Sequence, residues 1–149
     1  MAPLLTTRKM NRPLTPHGPG FRFLDTFECR DTQGIGTWHL DPDLWFFKDH
    51  FPGQPIAPAA LLMEFAAQTA GALWMRGCGE PYATLFVASI DAMRIQSAAL
   101  PNETLTTTAT LVRELGPLAQ FEFEVATGTR AVARGRVTLS RELARSEPG

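Results

Sequence analysis

Two side chains in this sequence have types and spacing suited to acid–base chemistry. His50 stands in an aromatic, proline- and glycine-rich turn that runs from Trp45 to Pro58. Glu64 follows 64 − 50 = 14 residues later, in an apolar run from Ala59 to Met75 whose other polar side chains are Gln68 and Thr69. A neutral imidazole near pH 7 is a competent general base. A carboxylate on an apolar helix is costly unless it is protonated or paired. Gln68, at i+4 on the same helical face, can pair with it. The bland reading stops there, with a satisfied polar pair. In the reactive reading Gln68 orients a protonated Glu64, which gives its proton to a leaving hydroxyl. The helix start adds a third component. Backbone N–H groups near Pro58, Ala59 and Ala60 lack intrahelical partners and can polarise a carbonyl oxygen held in the turn. Base, acid and oxyanion donor together match the loss of water from a 3-hydroxyacyl thioester, with a trans-2-enoyl thioester as product.

The elements that must position these groups are legible from pattern. Pro55 and Pro58 set an extended approach and then allow a first helical turn. Ala, Leu, Met and Gln carry the helix from Ala59 to Met75, and Gly77, Gly79 and Pro81 are expected to stop it. It is apolar around nearly its whole circumference, so it must be covered on most sides. Strand patterns surround it: Phe21 to Arg30 and Ile35 to Leu40 before, then Tyr82 to Ile95, Glu103 to Glu114, Gln120 to Thr127 and Ala131 to Leu139. Turns are expected at Pro16–Gly20, Asp31–Gly34, Ala98–Asn102, Gly116-Pro117 and Gly128. The expectation is an α+β domain over residues 1–149, about six antiparallel strands around one long helix, with residues 1–15 a mobile arm and 141–149 a frayed tail.

Composition narrows the function classes. The chain has 149 residues, net charge −1, 44% apolar and 19% charged residues, which are globular values. No charge excess points to nucleic acid or to an anionic membrane surface. The arginines of the C-terminal half read as solvated strand edges. Two cysteines, Cys29 and Cys78, have no metal-ligand spacing and fit a reducing cytoplasm. The apolar helix is shorter than a membrane span and carries Glu64.

The stretch HFPGQPIAPAALLMEFAAQ resembles the signature H-F-P-G-x-P-x-x-P-G-V-x-x-x-E-A-x-A-Q of the 3-hydroxyacyl-[acyl-carrier-protein] dehydratases of bacterial fatty-acid synthesis, the FabZ/FabA-type family. Pro16-His17 followed by FRFLD resembles that family's P-H-x-x-P-F-x-x-x-D segment, and FVASIDAMR, residues 86–94, resembles its F-A-G-I-D-x-A-R strand. The resemblance implies a hot-dog fold and an obligate dimer, with His50 of one subunit facing Glu64 of the other. Some relatives assemble further into trimers of dimers, and a heterodimer with a related subunit is the other pairing considered. It implies that the backbone N–H of Ala59 binds the thioester carbonyl. Phe51 and Gly53 would shape the turn against the substrate, Gln68 would orient Glu64, and the acyl chain would enter an apolar tunnel beside the helix. The substrate class it implies is an acyl thioester on acyl carrier protein, or on coenzyme A, and it implies no metal or redox cofactor. Four positions depart from the family pattern: Ala59 replaces its glycine, Asp49 a common glycine, and Gln96 and Ser97 the basic residues of relatives. Two other readings stand behind the dehydratase: a non-catalytic hot-dog subunit that binds a carrier or an active partner, and a hot-dog acyl thioesterase.

Overall fold

The computed structural model describes residues 15–78 and 84–141. A short 3-10 turn, Pro19–Phe21, precedes β1 (Thr26–Arg30), β2 (Gln33–His39), the helix α1 (Ala59–Cys78), β3 (Phe86–Ile95), β4 (Thr104–Leu115), β5 (Leu118–Thr127) and β6 (Arg130–Ser140). The strands form one six-stranded antiparallel sheet in the order β1-β2-β4-β5-β6-β3. This is the expected sheet around a central helix.

The concave face of the sheet is built to receive α1. Its floor is made of small side chains: Gly34 pairs with Ala109, and Gly36 with Thr107. A Cβ on Gly36 would press into Leu24 Cδ1 and stand 2.5 Å from Thr69 Oγ1. The missing side chains therefore let the helix lie close to β2. Around this floor Phe121, Phe123 and Val125 of β5 and Val137 and Leu139 of β6 turn inward and are buried, while Glu122 and Glu124 turn out. Phe65, Ala66 and Ala70 of α1 are fully buried against them. Thr69, also fully buried, donates its hydroxyl to Phe65 O at 3.0 Å, which satisfies a polar group in mid-core. The convex face is charged, with Arg136 bridging to its cross-strand partner Glu122 at 3.0 Å.

β3 breaks the pattern. It pairs with β6 on one side and is the sheet's edge on the other. Val87, Ile90 and Ile95 stand opposite the buried Leu139, Val137 and Ala133, so they share the core-facing side of the sheet. Yet they are 40%, 45% and 48% exposed. Apolar side chains on an unpaired edge are normally covered in the assembled state.

Several boundaries differ from expectation. The first strand begins at Thr26, not Phe21, because the Gln68 amide takes the backbone of Phe21 and Phe23. The helix passes through Gly77 to Cys78, 78 − 75 = 3 residues beyond the expected end. The expected arm lies outside the described residues up to residue 14, and the expected tail from residue 142. Their inner ends are anchored. Thr15 is buried, and Arg141 donates its N–H to Pro117 O at 2.9 Å with its guanidinium 4.4 Å from the Trp74 ring.

Candidate active site

The His50 turn is held by its backbone. His50 N donates to Phe46 O at 2.9 Å, and Phe46 and Phe47 are buried anchors. Phe51 and Gln54 exchange both backbone hydrogen bonds, 3.1 and 2.9 Å, around Gly53 at φ 76°, a conformation that favours glycine. The His50–Phe51 peptide is cis. Ile56 N donates back to His50 O at 2.9 Å, and Ala57 N ties the segment to Ala99 O at 2.8 Å. The ring is oriented by the same loop, since His50 Nδ1 lies 3.0 Å from Ile56 O. A carbonyl oxygen only accepts, so in the neutral ring Nδ1 carries the proton and Nε2 keeps its lone pair. That is the tautomer a general base needs. The aromatic setting is looser than the sequence suggests, because Phe51 is 52% exposed and stacks on the His50 ring with centroids 4.4 Å apart.

The helix start lies next along the chain. Leu61 and Leu62 both donate to Pro58 O, at 3.0 and 3.1 Å. By helix geometry the N–H groups of Ala59 and Ala60, both exposed, have no intrahelical acceptor. Their dipole end favours an oxygen acquiring negative charge.

Glu64 lies one turn further on, largely buried, and lines a cavity of about 40 Å³. Gln68 Nε2 donates to Glu64 Oε1 at 3.1 Å and to Phe21 O at 2.9 Å, while Gln68 Oε1 accepts from Phe23 N at 2.9 Å. The amide is thus locked by the backbone of the segment before β1, and its pairing with Glu64 is as the i+4 spacing suggested. From Glu64 the cavity runs along α1 past Gly71 to Met75, with Leu85, Val87 and Leu139 as its far wall. Its lining is mainly apolar, with the Glu64 carboxyl, the Gln68 amide and the His17 ring as polar groups.

His50 is not among the residues lining this cavity. Within one chain His50 and Glu64 therefore do not share this cavity. The cavity reaches Val87, on the unpaired edge strand. Sequence reasoning gave no lining residues for this cavity; Phe65 is core, and Gly71, Met75 and Leu85 are among those that line it. It also passed over His17, whose Nε2 lies 3.3 Å from Glu64 Oε1. The one signal for it was the Pro16-His17 pair. At Gln96 and Ser97, Arg130 comes in from β6, with Nε 3.2 Å from Ser97 Oγ. Among the described residues no cluster of three or more His, Cys, Asp or Glu is placed to hold a metal ion, and no helix is long and apolar enough to cross a membrane.

Comparison with known proteins places this geometry in a family. The family model described as "ApeI-like: ApeI dehydratase" matches residues 28–136. The 3-hydroxyacyl-[acyl-carrier-protein] dehydratase FabZ of Streptococcus pneumoniae (strain Hungary19A-6) is 33% identical over 95 residues, 64% of this chain and 68% of the relative. Among solved structures, the dehydratase heterocomplex ApeI:P from Xenorhabdus doucetiae superposes with a TM-score of 0.74 at 18% identity, over 88% of this chain and 90% of the other. A hypothetical thioesterase protein with coenzyme A from Streptococcus pneumoniae TIGR4 shares the fold at a TM-score of 0.59 and 13% identity, over 83% of this chain and 91% of the other. The fold and these matches place the chain among the FabZ-type hot-dog dehydratase families. Within that class, the chain belongs to the ApeI-like dehydratase family.

Proposed function

We propose that this protein dehydrates 3-hydroxyacyl thioesters, carried on acyl carrier protein, to trans-2-enoyl thioesters. His50 is the general base and Glu64 of a second subunit the general acid. The thioester carbonyl oxygen accepts from the Ala59 N–H, which acidifies the α-carbon. His50 Nε2 takes the α-proton, and its electron pair becomes the Cα=Cβ bond. The Cβ–O bond breaks, and the hydroxyl leaves as water with the Glu64 proton. Phe51 and Gly53 shape the turn over the thioester, and Gln68 holds the acid.

The observation that carries this reading is the separation of the two groups within one chain. The Glu64 cavity is bounded by Val87 on the unpaired strand β3, and His50 of the same chain is not among the residues that line it. A second subunit pairing edge to edge along β3 covers Val87, Ile90 and Ile95 and can bring its own His50 turn to the cavity. The partner is a second copy of this chain. A related hot-dog subunit is the other reading, and the ApeI:P structure, a heterocomplex of a similar chain, favours keeping it.

Reversible hydration of a crotonyl thioester, on a carrier protein and on a small thiol, tests the activity. Wild type is expected to be active, and His50→Ala and Glu64→Ala each to lose roughly 10²-fold or more. Variants as fast as wild type, or no turnover at any chain length, would overturn the proposal. Light scattering of the purified chain tests the pairing, and a stable monomer active by itself argues against a shared site.

A further inference from the structure

His17 reaches the Glu64 carboxyl from outside the helix. Its Nε2 lies 3.3 Å from Oε1, the same oxygen that accepts from Gln68 Nε2 at 3.1 Å. The main chain of His17 is fixed separately. Its N–H donates to Thr15 Oγ1 at 3.4 Å, and Arg22 Nη2 donates to its carbonyl at 2.7 Å. Nδ1 is buried and meets no hydrogen-bond partner. A proton on Nδ1 would have no acceptor, and the bare Nε2 would face the Oε1 lone pairs. A proton on Nε2 has Oε1 before it, so the neutral ring is the Nε2–H tautomer. Two N–H groups then converge on Oε1. An acidic proton on that oxygen would oppose them, so the neutral carboxyl carries its proton on Oε2.

We propose that His17 is a positioning residue for Glu64: with Gln68 it occupies Oε1 and leaves Oε2 as the oxygen that delivers the proton to the departing hydroxyl. This rests on the reading of Glu64 as general acid. In the elimination the Oε2 proton joins the hydroxyl, which leaves with the Cβ–O electron pair as water, and Glu64 becomes a carboxylate. Hydrogen bonds to a carboxylate are stronger than those to the neutral acid, so the two donors on Oε1 help most as the proton departs. Among the described residues no other titratable side chain lines the cavity, and Arg22 meets His17 at its carbonyl.

The test compares two leaving groups. A 3-hydroxybutyryl thioester needs a proton on its leaving group, whereas a 3-chlorobutyryl thioester loses chloride without one. His17→Leu is expected to lower kcat on the hydroxy substrate roughly 10-fold with KM little changed, and to leave elimination of chloride as in wild type. His17→Gln keeps an N–H donor near the Nε2 position and is expected to retain most of the activity. Should His17→Leu not fold, His17→Asn takes its place, because its amide is too short to reach Oε1. Equal losses on both substrates would make His17 a structural residue and overturn the proposal, as would undiminished activity on the hydroxy substrate. Glu64→Gln is the control: it should lose the hydroxy reaction and spare chloride loss. If it keeps both, the acid assignment itself fails, a result distinct from failure of His17 alone.

Discussion

Gln68 makes three contacts from one buried amide: to Glu64, to Phe21 O and to Phe23 N. It couples Glu64 to the fold, since the same group that hydrogen-bonds that carboxyl also holds the segment before β1 against the helix. Gln68→Leu is expected to lower kcat and also to destabilise the fold by about 1–3 kcal/mol, the cost of leaving buried backbone groups unpaired. Urea unfolding beside a steady-state assay separates the two effects. An exposed i+4 pair would change stability little. A second residue pair, Glu103 and Arg130, contributes to the response to acid. Partial burial pushes the Glu103 carboxyl up, but the Arg130 guanidinium and the Leu100 N–H outweigh it and hold the group below its ordinary value. A carboxyl lowered in the folded state adds stability that is complete above its unfolded pKa and is lost as pH falls through the folded one. The wild type should therefore lose stability more steeply than Glu103→Gln below about pH 4.5, the ordinary value of the group. Urea midpoints measured from pH 6 to pH 3 check this, and parallel curves would refute it.

At the scale of elements, the helix was readable because its apolar composition, its proline start and its glycine-rich end all agree. Its seat was not readable. Gly34 and Gly36 interrupt a strand pattern and could mark a bulge or a close approach. Only the packed structure identifies them as the floor under Thr69 and Leu73. Gly36→Val is expected to cost about 1–3 kcal/mol by overpacking, seen as a lower thermal midpoint, because Leu24 and Thr69 must both give way. The same lesson applies to the first strand. Alternation at Phe21 and Phe23 suggested an earlier start, but a side-chain amide from residue 68, distant in sequence, captures that backbone. Periodicity cannot report a competitor that arrives through tertiary contact.

For the whole molecule, the decisive feature is an edge strand whose apolar side chains on the core-facing side, Val87, Ile90 and Ile95, stay 40–48% exposed. Ile90→Arg should weaken self-association roughly 30-fold or more, about 2 kcal/mol, as for an interface hot spot. Activity should fall at concentrations where wild type is still paired. Sedimentation and dilution assays measure both. Complementation tests the shared site more sharply. Mixing His50→Ala with Glu64→Ala under exchange conditions should restore about one quarter of wild-type activity, since half the dimers are mixed and each mixed dimer holds one intact site of two. No recovery in demonstrably mixed dimers would place both groups of a site in one chain.

The amino-acid sequence by itself determined the chemistry on offer. A histidine in a glycine-bearing turn and a carboxyl on an apolar helix with an amide at i+4 are local features, and local spacing sets them. It likewise determined that one long helix must be wrapped, because a helix apolar on nearly all sides cannot face water. Tertiary structure decided what stands next to what. It placed His17 on Glu64 across a separation of 64 − 17 = 47 residues, lined the cavity beside them with Gly71, Met75 and Leu85, and set Val87 of the edge strand β3 in its wall. Such contacts arise from how a twisted sheet closes over a helix, and no window of sequence contains both partners.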